Sequence, residues 1–237
     1  MPPALASEPL AAALLPGRWK AWRAVEGQHV VSTLRLAAGD PRRQDLLERI
    51  LEESKPPLPE GAGGLHYLLS TPFRYPPAGA GSRFRGWGDP GVLYGAALRR
   101  TACAEVGYWR WRFVAESEGL GHLPAAAQTL FRFGAAGRGV DLEKPPLSAD
   151  AARWTHPADY TATQELGRLA RAAGAEWIAY RSVRDPALGR CYAVLTGRTI
   201  RPRDPLERET WWLTVSPTGA VWQREGGERF VFRYAPV

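Results

Sequence analysis

The chain has 237 residues, 45% of them apolar, with ten tryptophans and eight tyrosines. That composition excludes a disordered protein and suffices for one sizeable core. Its 31 Lys and Arg against 24 Asp and Glu leave a formal charge of +7, carried almost wholly by arginine, whose planar fork grips phosphate or carboxylate at two points.

The arginines are scattered and form no long run, which argues for an anionic small ligand ahead of a nucleic-acid tract. The apolar N-terminal stretch lacks a basic start and is interrupted by Glu8 and Pro9. It fails as a signal peptide or spanning helix, and a cytoplasmic protein with no membrane contact is expected. Cys103 and Cys191 stand apart, and the four histidines fall at no metal-ligand spacing, so neither a disulfide framework nor a metal site is expected.

In chain order, residues 1–18 are rich in Ala and Pro, and residues 19–36 hold a strand around His29 to Leu34. Asp40 followed by Pro41 starts a helix over 41–54, with Leu46, Leu47, Ile50 and Leu51 as its apolar stripe. Lys55-Pro56-Pro57 stops it, a loop follows to Gly64, and Leu65 to Leu69 reads as a short strand. Gly91 to Gly95 is a buried strand between turn signals. A helix from Leu98 or Thr101 to about Ala115 places Ala102, Val106, Trp109 and Phe113 on one face, expected to meet the core.

Residues 117–158 are rich in Ala, Gly and Pro and read as irregular, with a strand at Thr129 to Phe133. Thr161 or Thr163 caps another helix that ends at Gly174. Strands follow at Glu176 to Tyr180 and Cys191 to Thr196, and the tail alternates as a β-meander: TWWLTV, AVWQRE and ERFVFRY. Helices among strands without regular βαβ alternation predict an α+β fold.

Glu105 falls beside the apolar stripe of its helix, where a carboxylate is costly unless paired or used. Two readings follow: a salt bridge to Arg74, Arg83 or Arg99, or a negative charge held in a cleft to face a developing cation. Arg74 and Arg83 flank a Gly/Pro loop that can wrap phosphate, Tyr94 ends the buried strand, and Ser182 follows another in Tyr-Arg-Ser-Val-Arg. Together they suit cleavage of a glycosidic bond in a phosphorylated nucleotide, whose oxocarbenium-like transition state a carboxylate stabilises.

The ordered pieces Phe73-Arg74-Tyr75, Gly81-Ser82-Arg83-Phe84, Gly91-Val92-Leu93-Tyr94, Thr101 to Glu105 and Ile178 to Arg184 resemble the RES domain. This bacterial family is named for Arg, Glu and Ser residues and known chiefly as toxins of toxin–antitoxin pairs. The resemblance implies a fold similar to ADP-ribosyltransferases, a mixed or antiparallel sheet with flanking helices. It implies NAD as substrate, degraded by phosphorolysis with inorganic phosphate as co-substrate and no cofactor, or used to attach ADP-ribose to a protein target.

Carried over by residue, Arg74 and Glu105 are catalytic, and Tyr75, Arg83, Tyr94 and Ser182 bind NAD. Arg23 competes with Arg74 for the arginine role. Arg74 is preferred because it keeps the site within one strand–loop–helix unit. A toxin role implies an antitoxin partner of helix-turn-helix type. Residues 1–64 are expected as an extension packed on a catalytic domain of 65–237. A reading of another class is a non-catalytic basic module binding nucleic acid through Arg and Trp.

Overall fold

The computed structural model describes residues 7–27, 40–75, 79 and 81–235. Its spine is the 19-residue strand β3 (Leu123–Asp141). On one edge β3 carries β1 (Leu15–Glu26), antiparallel along its whole length from Leu15↔Gly139 to Glu26↔Gln128. On the other edge lie β6 (Glu207–Ser216), up to Arg132↔Glu207, and then β4 (Trp177–Arg181), parallel, from Gly139↔Trp177. β4 pairs with β5 (Arg190–Val194), β5 with β2 (Leu93–Ala96), and β2 meets β1 at Trp22↔Ala96. These five strands therefore close on themselves. The meander leaves the ring through β6 into β7 (Gly219–Arg224) and β8 (Arg229–Arg233), giving a mixed eight-stranded sheet and an α+β fold.

Alternation along the strands sends successive side chains to opposite faces. Ala21, Leu93, Phe131, Phe133, Trp177 and Tyr192 gather on one face with Leu68, Leu69 and Phe73 of helix α3 (Tyr67–Arg74). Trp22, Leu130, Ile178, Tyr180 and Cys191 point the other way. There they pack with α4 (Arg99–Glu116), α6 (Thr161–Ala172) and the inner residues Trp211, Leu213 and Trp222 of the meander. The short helices α1 (Ser7–Ala12) and α5 (Ala151–Trp154) add Leu10 and Trp154 to this second core. No helix among the described residues is long and apolar enough to cross a membrane.

Several elements depart from the sequence reading for physical reasons. Leu65 to Leu69 is not a strand: Leu65, Leu68, Leu69 and Phe73 follow a helical period, and His66 caps α3 by accepting the Leu68 N–H at 3.2 Å. β3 is far longer than Thr129 to Phe133, because its small residues face close neighbours. A Cβ on Gly139 would sit 2.2 Å from the Trp177 carbonyl oxygen and 2.3 Å from its ring. Composition that looks like loop is thus what close approach of two strands requires. Residues 1–64 include β1, a ring strand, so residue 64 marks no break in the sheet. The strand expected at His29 to Leu34 lies outside the described residues. The helix α2 (Pro41–Glu53) forms with Asp40 as its cap, but buries none of its residues, leaving Leu46, Ile50 and Leu51 exposed.

The Gly139–Trp177 contact gives a direct test. Gly139→Ala, normally mild in a strand, should destabilise by about 1–3 kcal/mol through overpacking, seen as a lower midpoint in denaturant unfolding. An unchanged midpoint would show that β3 and β4 do not approach this closely.

Candidate active site

A cavity of about 390 Å³ lies between α4 and the strands β1, β2 and β5. Ala102, Glu105, Val106 and Trp109 line it, and their spacing puts them on one helical face. The stripe meets the core at its start, where Ala102 is buried in it and Val106 packs against it, but it also borders the cavity, and its later residues Trp109 and Phe113 are exposed.

Glu105 makes none of the three expected salt bridges. Arg99 pairs with Glu209, Arg74 with Glu52, and Arg83 donates to the carbonyls of Trp154 and His156 at 2.8 and 3.2 Å. Glu105 Oε1 instead accepts a 2.6 Å hydrogen bond from Ser182 Oγ, with Cys191 Sγ at 4.0 Å. Its second oxygen has no hydrogen-bond partner among the described residues. Burial raises the Glu105 pKa above the ordinary carboxylate value, while the Ser182 hydrogen bond and the charges of Arg83 and Arg184 work the other way.

Ser182 is fully buried. Its oxygen also accepts the N–H groups of Arg184 and Asp185 at 3.1 and 3.0 Å. One donor and two acceptor positions exhaust a hydroxyl. Ser182, expected to touch NAD, therefore stands behind the cavity wall and positions Glu105. The same loop is fastened to the first turn of α4 by Asp185, which accepts from Thr101 Oγ1 at 2.8 Å and pairs with Arg100.

Across the cavity, Arg23 comes from β1 and donates Nη1 to the Tyr94 carbonyl at 2.9 Å. Its Nε is buried without a partner among the described residues. Loss of hydration draws its pKa down to about 10. Arg83 is buried and also lines the cavity, its guanidinium 4.7 Å from the centre of the Tyr160 ring. Tyr94 lines the cavity with its ring, while its hydroxyl bonds Ser82 Oγ and accepts the Phe84 N–H, both at 2.9 Å. That pin folds the loop carrying Arg83 over the cavity. Burial raises the Tyr94 pKa, so the phenol stays neutral.

The structure brings together Arg83, Tyr94 and Glu105, with Ser182 behind them, and it separates Arg74 and Tyr75 from the site. Arg74, preferred from sequence, ends α3 and is held by Glu52 at 2.7 Å and by the Pro56 carbonyl. Tyr75 is exposed, and neither residue lines the cavity. Arg23 is there because β2 pairs with β1 beside it, at Trp22↔Ala96, which nearness in sequence could not indicate. The sequence assigns no site role to Tyr160, nor to Arg184 beyond its place at the end of the Ile178 to Arg184 segment. Arg184 is buried against Tyr108, 3.6 Å from its ring centre, and donates to Tyr160 Oη at 3.2 Å. No spacing in the sequence signals either.

The RES domain family model matches residues 58–216, well over half of the chain, and the protein therefore belongs to the RES domain family. No curated protein matches it. Among solved structures, the chain is similar to one in the crystal structure of the M. tuberculosis MbcT–MbcA toxin–antitoxin complex. The TM-score is 0.49 at 12% identity, over 96% of this chain and 91% of that one.

The raised Glu105 pKa carries a stability consequence. The folded protein holds this proton more tightly than the unfolded chain, so the contribution is favourable below the ordinary value of 4.5 and is lost as pH rises through the folded pKa. Glu105→Gln, which keeps the Ser182 acceptor, should unfold at higher denaturant than wild type at neutral pH. The gap should close as pH falls toward the ordinary carboxylate value. A variant less stable than wild type at pH 7 would contradict a desolvated carboxylate.

Proposed function

We propose that the protein cleaves the nicotinamide–ribose bond of NAD in this cavity, with inorganic phosphate as acceptor. The observation that carries the reading is Glu105: a desolvated carboxylate without an ion-pair partner among the described residues, in a cavity whose walls hold two guanidinium groups. One anion set against a cationic surround suits a substrate that is anionic along its diphosphate and becomes cationic at one ribose carbon.

In this mechanism the bond from the nicotinamide nitrogen to the ribose C1″ breaks, and its electron pair leaves with neutral nicotinamide. Positive charge develops on C1″ and the ring oxygen, and Glu105 stabilises it in a site of low polarity. A phosphate oxygen then forms the new bond to C1″ from the opposite face, giving ADP-ribose 1″-phosphate. Arg23 and Arg83 hold phosphate oxygens, the orphaned Nε of Arg23 being a donor that an anion satisfies. Tyr94 packs against the nicotinamide end, and Ser182 keeps Glu105 aimed. Membership of the RES domain family extends the proposal to a toxin held in check by an antitoxin of helix-turn-helix type covering the cleft.

Purified protein should consume NAD and release nicotinamide, faster with phosphate, yielding the phosphorylated sugar by mass spectrometry. Glu105→Gln should lower turnover about 10²–10³-fold, and Arg23→Ala should raise KM, whereas Arg74→Ala should stay within about twofold of wild type. Free ADP-ribose regardless of phosphate would make water the acceptor, and labelled protein in a lysate would make it a side chain. NAD untouched by folded protein under every condition would refute the reading.

A further inference from the structure

We propose that the cavity continues outward into a second subsite, built on Trp109 and Phe113, that takes the flat base at the far end of a dinucleotide. The inference rests on the NAD reading above and deepens it, since it says which part of the substrate lies outside the cavity.

The path is drawn by α4. Along one face of this helix the side chains pass from buried Ala102, through half-buried Glu105 and Val106, to Trp109 at 45% exposure and Phe113 at 55%. Trp109 still lines the cavity. From Glu105, the helix rise places Trp109 about 6 Å and Phe113 about 12 Å further along the axis. A ribose–diphosphate–ribose link that starts at Glu105 and runs past the cationic wall is long enough to carry a second base to that rim.

Trp109 is fixed in orientation although it is open to solvent. The Tyr108 ring meets it edge-on at 5.4 Å, and the guanidinium groups of Arg112 and Arg184 lie 5.7 and 5.5 Å from its ring centre. Arg112 is itself held by Glu116 at 2.6 Å. An indole held by a perpendicular phenol and by two guanidinium groups over its ring, and still 45% exposed, is a stacking platform prepared before a ligand arrives. The charged groups of the cavity, Glu105, Arg23 and Arg83, stand at the inner end. The rim offers the exposed aromatic surface of Trp109 and Phe113, which suits a neutral planar base, and of the cations there Arg112 is already paired with Glu116. Continuity with the cavity favours the substrate's own base as occupant over a protein partner.

Nicotinamide mononucleotide separates the subsites, because it carries the same scissile bond and one phosphate but lacks the second base. Wild type should prefer NAD. Trp109→Ala should lower the ratio of kcat/KM for NAD over the mononucleotide about tenfold, equivalent to about 1.4 kcal/mol, chiefly through KM for NAD. Trp109→Phe should restore most of the preference, and Phe113→Ala should erode it in the same direction by less, which keeps the test open if Trp109→Ala folds poorly. An unchanged ratio, or equal loss on both compounds, overturns the subsite alone. Wild type that cleaves neither compound overturns the NAD reading and the subsite with it.

Discussion

Glu105 receives one short hydrogen bond, from Ser182, 77 residues further along the chain. Both ends of that bond are expensive: the carboxylate has lost much of its water, and the hydroxyl is buried with all its bonding positions in use. The surrounding structure is arranged so that this costly pair persists. Asp185 clamps the serine loop to the first turn of α4, and Ser182 N donates to the Gly189 carbonyl at 2.8 Å to close that loop on itself. A Cβ on Gly189 would sit 2.1 Å from Thr101 Oγ1, so the loop lies as close to the helix as a bare backbone allows.

The closed ring of strands explains how distant residues share one cavity. β1 supplies Arg23, β2 supplies Tyr94 and β5 supplies Cys191, and each is brought in by strand pairing. Close packing on the other face depends on small residues. Gly95 leaves room for the Phe133 ring and Gly17 for the Trp177 ring, with a Cβ falling 2.7 and 2.5 Å from them. Bulk is therefore kept off the strand positions where two layers touch, and the polar groups of the site are held on a frame with little slack.

What could be read from the sequence follows from where each signal resides. The caps of α2, the turn at Gly174 with φ of +83° and the alternating tail are local features, and they appear as expected. Glu105 was singled out because a carboxylate on an apolar stripe has an energetic anomaly visible in one dimension. β3 was mostly lost, since its Ala and Gly answer to neighbours that only the fold supplies. Arg74 and Arg23 carry equal chemistry in sequence, and what tells them apart is pairing: one finds a carboxylate on α2, the other enters a cavity through a strand. The Ala102–Phe113 stripe has the right period but only half the expected destination: Ala102 and Val106 reach the core while Trp109 and Phe113 stay exposed, because periodicity reports a shared face and not what covers it.

The most direct measurement is a crystal structure of Glu105→Gln bound to NAD, a variant too slow to consume its ligand. The account predicts the nicotinamide ribose beside residue 105, with the diphosphate within hydrogen-bond reach of Arg23 and Arg83 and Ser182 untouched by ligand. NAD lying against Arg74, or a cavity that stays empty at saturating NAD, would contradict it.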